Sequence, residues 1–101
     1  MPPKLLTRSQ IFEIEIGEDL TLPCEVRNLR DFVILWRKGE RIISAGNLLV
    51  KKNGRVKLMD NFSLQLINIE TGDAGDYFCE VDFYGKTQNV THHVDVLGKI
   101  I

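Results

Sequence analysis

Along most of this chain apolar side chains alternate with polar ones at a period of two, the spacing of a strand with one buried face. The alternation is clearest in Ile11-Phe12-Glu13-Ile14-Glu15-Ile16, where Phe12, Ile14 and Ile16 share one face and Ile11, Glu13 and Glu15 the other. An apolar face opposed to a mostly charged one suits a half-buried strand near a sheet edge. Gly17-Glu18-Asp19 makes a turn, after which Leu20, Leu22 and Cys24 share a face with Thr21 and Pro23 opposite. Pro23 has no N–H to give a ladder, so its nitrogen belongs at an open edge or a bulge. Phe32, Ile34 and Trp36 alternate inward on the next strand. Lys38-Gly39-Glu40 reads as a turn and 41–45 as a strand. The stretch 46–54, with Leu48, Leu49 and Val50, reads as a short strand or an irregular connection.

The second half repeats the pattern. Val56 and Leu58 fit one strand, and Leu64, Leu66 and Ile69 the next. Tyr77, Cys79, Val81 and Phe83 alternate inward, Tyr84-Gly85-Lys86-Thr87 turns, and Val90, His92, Val94 and Val96 share a face. No helical period, internal repeat or low-complexity run interrupts this. Turn signals every ~8–12 residues predict an all-β sandwich.

Length and composition sharpen the picture. With 101 residues, 44% hydrophobic and 27% charged, the chain is one domain able to form a core. Thirteen Lys+Arg against 14 Asp+Glu give a net charge of −1, without the basic stripe of a nucleic-acid binder. No stretch approaches the ~18 apolar residues of a membrane span. Met1-Pro2-Pro3-Lys4 lacks the apolar core of a secretory leader, so Met1 reads as an initiator placed on an excised fragment.

Candidate chemistry is sparse. Cys24 and Cys79, taken alone, are compatible with free thiols, part of a metal site or one disulfide, but no CxxC spacing is present. His92 and His93 are neighbours on one strand, point to opposite faces and are poorly placed to share a metal ion. No nucleophile motif, phosphate-cradling glycine loop or paired acids in a cleft appear. The expectation is no catalysis, no cofactor and no metal.

One constellation is specific. It reads Gly17-x-x-Leu20-x-Leu22-x-Cys24, then Trp36, then Leu64-x-Leu66-x-x-Ile69-x-x-x-Asp73-x-Gly75-x-Tyr77-x-Cys79. This resembles an immunoglobulin-superfamily domain, with the domain spanning 5–97 and residues 1–4 and 98–101 as flanking linker or added residues. The resemblance implies an all-β, immunoglobulin-like two-sheet Greek-key sandwich with one inter-sheet disulfide, Cys24–Cys79. It implies Trp36 packed on the sulfurs and the Tyr77 hydroxyl turned back to the backbone near Asp73. It also implies a corner clamp between Arg55 and Asp73. The short cysteine separation favours the I-set type, with a V-like strand complement as the alternative. Trp36-Arg37-Lys38-Gly39 and Arg55-Val56-Lys57-Leu58 resemble insect neural adhesion proteins of the lachesin, amalgam and klingon type. A disulfide closing a loop of this length is worth ~4 kcal/mol and persists in an oxidising compartment.

In the family's lettering, strands C, C′, F and G fall around 33–37, 41–45, 77–83 and 90–96. Parity aims Val33, Leu35 and Arg37 outward on C, and Phe78, Glu80 and Asp82 outward on F. Apolar side chains rimmed by both signs of charge form a modest protein interface, with Val33, Leu35, Arg37 and Ile43 expected at its centre. The expected function is an extracellular recognition module of a cell-surface adhesion protein. Its expected partner is another immunoglobulin-type domain, homophilic or heterophilic, bound through the C–C′–F–G face, with a weak homodimer compatible. No contact with nucleic acid or membrane is expected. Sequons at Asn61-Phe62-Ser63 and Asn89-Val90-Thr91 favour a secretory route and a glycoprotein at the cell surface. The alternatives are a structural module of an intracellular muscle-filament protein and a soluble immune or growth-factor receptor domain.

Overall fold

The computed structural model describes residues 1–52 and 54–98. Eleven strands lie among the described residues: β1 (Lys4–Leu5), β2 (Ile11–Glu15), β3 (Leu20–Leu22), β4 (Val26–Arg27), β5 (Ile34–Lys38), β6 (Arg41–Ala45), β7 (Leu48–Leu49), β8 (Val56–Leu58), β9 (Leu64–Leu66), β10 (Gly75–Phe83) and β11 (Lys86–Leu97). A 3-10 turn, Thr71–Asp73, precedes β10. One sheet has the order β2-β11-β10-β5-β6-β7 and the other β3-β9-β8, while β1 and β4 form a short ribbon. β2 runs parallel to β11, and the other pairs are antiparallel. In the family's lettering β5, β6, β7, β8, β10 and β11 are C, C′, C″, D, F and G.

The two inner faces meet in a core of Leu22, Ile34, Trp36, Leu64, Leu66, Ile69, Tyr77, Val90 and Val94, all buried. Cys24 and Cys79 join across it as a disulfide with Cα atoms 6.4 Å apart, inside the ordinary range. Trp36 is fully buried, and its indole Nε1 donates to the Phe62 carbonyl at 2.7 Å, so its one polar atom is satisfied.

Local chemistry explains the strand ends. Pro23 cannot donate to a ladder, and the break between β3 and β4 falls there. β10 and β11 close through Tyr84 and Gly85, with φ of +49° and +86°, and Phe83 pairs with Lys86. Two successive positive φ values make a type I′ turn, whose twist matches that of the strands it joins. The stretch left open as strand or connection contains β7, paired with β6 through Ala45↔Leu48 and Ser44↔Leu49.

Ahead of the expected domain start at Leu5, Lys4 pairs with Arg27, Pro3 is fully buried, and the Gln88 amide donates to the Pro3 carbonyl at 2.7 Å. A two-residue strand leaves no periodicity in the sequence. Gly98 is described, and residues 99–101 lie outside the described residues. One expectation needs correction: Ile43 is expected at the centre of the outer-face patch. A register shift between Trp36 and Arg37 sets Arg37 across from Ile42, and Ile43 packs against the core instead. One bulged residue turns every later side chain over, and parity alone does not detect it.

Candidate interface on the outer sheet face

The ladder registers set the outer face of the large sheet residue by residue. One row crosses the sheet as Asn89, Glu80, Leu35, Ala45 and Leu48. The next contains Thr91, Phe78, Arg37 and Ile42. Directly paired residues of a sheet share a face, so each row lies side by side on the outside. Val33 is 54% exposed, Ile42 46% and Leu48 75%, and Leu35 between them is half-buried. The apolar part of the face therefore sits on β5, β6 and β7. Leu48 and Ile42 escaped the sequence reading. The signal for Leu48 was the pair Gly46-Asn47, which turns β6 into β7 in two residues and fixes the register.

The charged part is largely committed within the domain. The Arg37 guanidinium lies 3.9 Å from the centre of the Phe78 ring, pairs with Glu80 and donates to the Gly39 carbonyl. This cation over an aromatic face covers Phe78, which is only half-exposed. Asp82 accepts from the Thr87 hydroxyl at 3.0 Å and from the Gly85 N–H at 3.3 Å, closing the β10–β11 turn. Arg37, Phe78, Glu80 and Asp82 thus form a braced rim beside the apolar row.

Asn89 is exposed and lies across from Glu80 in an unbroken register. Asn61 is exposed as well, and its Oδ1 accepts from the Ser63 N–H at 3.0 Å.

Away from this face stands the corner clamp. Arg55 holds both Asp73 oxygens, at 2.9 and 3.1 Å, and reaches Glu70 at 3.5 Å. Burial pushes the Asp73 carboxyl up. Hydrogen bonds from Arg55 and the Glu70 N–H outweigh that and hold it below its ordinary range. The Tyr77 hydroxyl donates to the Asp73 carbonyl at 2.6 Å, and burial raises its pKa. The two histidines separate as expected. His92 is fully buried, with Nε2 2.7 Å from the Pro23 carbonyl, and burial lowers its pKa. His93 is exposed between Asp76 at 2.6 Å and Asp95 at 2.9 Å, whose hydrogen bonds raise its pKa. Among the described residues no group of three or more histidines, cysteines and carboxylates is arranged to hold a metal ion.

A two-sheet sandwich pinned by one disulfide and braced by a tyrosine corner defines a domain of the immunoglobulin class. The chain belongs to the immunoglobulin I-set domain family, whose match covers residues 3–96 and takes in the buried Pro3. The family is one of adhesion and recognition modules, not of catalysts. Neogenin from Rattus norvegicus is 35% identical over 72 residues, covering 71% of this chain and 5% of neogenin. Lachesin from Schistocerca americana is 31% identical over 94 residues, covering 81% of this chain and 27% of lachesin. The chain thus spans a small part of the relatives it matches. Among solved structures, the RIG-5 IG1 homodimer has a TM-score of 0.85 at 20% identity, covering 96% of this chain and 99% of that one. The titin M10–obscurin-like 1 immunoglobulin complex has a TM-score of 0.78 at 22% identity, covering 99% and 98%. Such structural likenesses speak for the fold alone.

Proposed function

We propose that this domain is an extracellular recognition module of a cell-surface adhesion protein, and that it binds another immunoglobulin-type domain through the β5–β6–β7 side of its outer face. The observation that carries this reading is the apolar patch of Val33, Leu35, Ile42 and Leu48 beside the Arg37–Glu80 brace. Neighbouring strands are ~4.8 Å apart, so Asn89 lies about 10 Å from Leu35 and about 19 Å from Leu48 along its row. A glycan on Asn89 would crowd the β10–β11 side and leave the far side free. A glycan on Asn61 stands away from this face. The relatives, which are cell-surface adhesion proteins, favour an extracellular setting, and the two sequons fit passage through the secretory route. The pairing of two immunoglobulin domains in the RIG-5 IG1 homodimer is the arrangement taken as precedent.

A patch of this size falls short of the ~1,600 Å² of a standard interface, so self-association is expected in the micromolar range or weaker. Sedimentation of the unglycosylated chain against Leu35→Glu and Leu48→Glu tests it. Loss of the wild-type dimer in both variants is expected. A dimer that survives both substitutions, or a wild-type chain that is monomeric and finds no partner on this face, ends the reading.

A further inference from the structure

A cleft of about 350 Å³, at the lower end of the ~300–1,000 Å³ of ligand sites, opens between the segment that follows β7 and the start of β8. Ile43 of β6 and Val50 wall it on one side, Val56 of β8 and Leu66 of β9 on the other, and Tyr77 lines its base. Four cations line it as well, Lys38, Arg41, Lys51 and Arg55, against the two carboxylates of Glu70 and Asp73. Arg55 engages both carboxylates, at 3.5 and 2.9 Å. The lining carries two positive charges in excess. Arg41 and Lys51 are exposed, and among the described residues no carboxylate is within ion-pair distance of either, or of Lys38. The Lys38 ammonium donates to the Gly72 carbonyl and stands 5.5 Å from the centre of the Tyr77 ring.

We infer that this cleft is a second binding site, for an acidic peptide segment of a partner protein that seats an apolar side chain between its walls. Two features converge on that chemistry. Surplus positive charge at the rim meets carboxylates. Apolar walls accept a branched aliphatic side chain. A sulfated polysaccharide or a lipid headgroup would use the charge and leave the walls empty. The cleft rests on different residues from the outer-face patch except at Ile42, which borders both, and Leu35 takes no part in it.

The probe is a capped hexapeptide of alternating glutamate and valine, titrated into isotope-labelled protein and followed by amide shifts in NMR. Shifts at Ile43, Val50 and Val56 that saturate below about 1 mM are expected. Affinity at least about tenfold weaker is expected for the double variant Arg41→Glu/Lys51→Glu, and for a glutamate–serine peptide on the wild type. These two side chains are exposed, so the variant keeps its fold, and Leu35→Glu leaves the response unchanged. The inference is overturned by equal binding of the glutamate–serine peptide or of a lysine–valine peptide. It is overturned equally by tighter binding of a heparin-derived hexasaccharide or of anionic vesicles, or by no shift at about 1 mM peptide.

Discussion

His92 and His93 are adjacent in the sequence and opposite in their physics. Facing the buried His92 ring are Phe12 from β2 at 5.4 Å in an edge contact, Trp36 from β5 at 6.3 Å, and the Pro23 carbonyl. Tyr77, paired with it on β10, is the titratable neighbour on that strand, and its hydroxyl is spent on Asp73. Burial disfavours an imidazolium there, and the hydrogen bond to the Pro23 carbonyl offsets that only in part. Its folded pKa is depressed, so stability is full above the unfolded value of about 6.5 and falls as pH drops below it, until the folded ring protonates as well. For His93 the sign reverses. Asp76 and Asp95 raise its folded pKa, so its contribution is present below about 6.5 and is lost as pH rises through the folded value. That contribution is exposed, and salt screens it. NMR titration of the two rings should place His92 below 6.5 and His93 above it, and a reversed order would refute both assignments. Asp73 adds a second, lower acid step, because a depressed carboxylate pKa stabilises above about 4 and ceases to as pH falls through the folded value. Asp73→Asn should cost about 1–3 kcal/mol in a denaturant melt and leave outer-face binding intact. Trp36→Ala, which empties the fully buried indole site on the disulfide, should cost at least about 3 kcal/mol. A native emission spectrum typical of a water-exposed indole would contradict its burial.

At the level of elements, β10 is the spine of the fold, with β11 on one side and β5 on the other through nine and five residue pairs. It starts at Gly75, whose φ of +138° lies where only glycine is comfortable, and a Cβ there would stand 3.1 Å from the Lys38 Cε. Gly75→Ala should therefore destabilise by about 1–3 kcal/mol in a thermal or denaturant melt. A change below a few tenths would mean that the strand start relaxes freely. Long strands of this kind were legible in the sequence, because β2, β5, β10 and β11 each carry enough alternating positions to fix a face. The disulfide, Trp36, Tyr77 and the Arg55–Asp73 clamp were legible as well, since the family pattern ties each to one residue type at one spacing. What was not legible is local geometry. β1 is too short to carry a period, and the bulge at Trp36–Arg37 exchanges Ile43 for Ile42 on the outer face. The pairing of Leu48 with Ala45 carries the apolar row one strand further than parity suggested.

For the whole molecule the deciding feature is the one covalent link between the sheets. Cys24 and Cys79 are both nearly inaccessible and lie 55 residues apart, so the bond closes more than half of the chain into a loop. Constraining that loop in the unfolded state is worth ~4 kcal/mol, against a total stability of ~5–15 kcal/mol for a domain. The hydrophobic core around the sulfurs holds the sheets together as well, since Leu22 and Leu64 from one sheet and Trp36 and Val94 from the other are buried in one cluster. Replacing both cysteines by alanine should therefore give a domain that still folds but unfolds at markedly lower denaturant. Its slope against denaturant should rise, because the uncrosslinked chain exposes more surface. The same bond separates the extracellular reading from the muscle-filament one, which the fold alone does not do. Protein folded in an oxidising compartment should have a mass two hydrogens below the reduced chain and resist alkylation until it is unfolded. Two free thiols in natively folded protein, with stability matching the double-alanine variant, would move this domain into the reducing interior of the cell and take the adhesion reading with them.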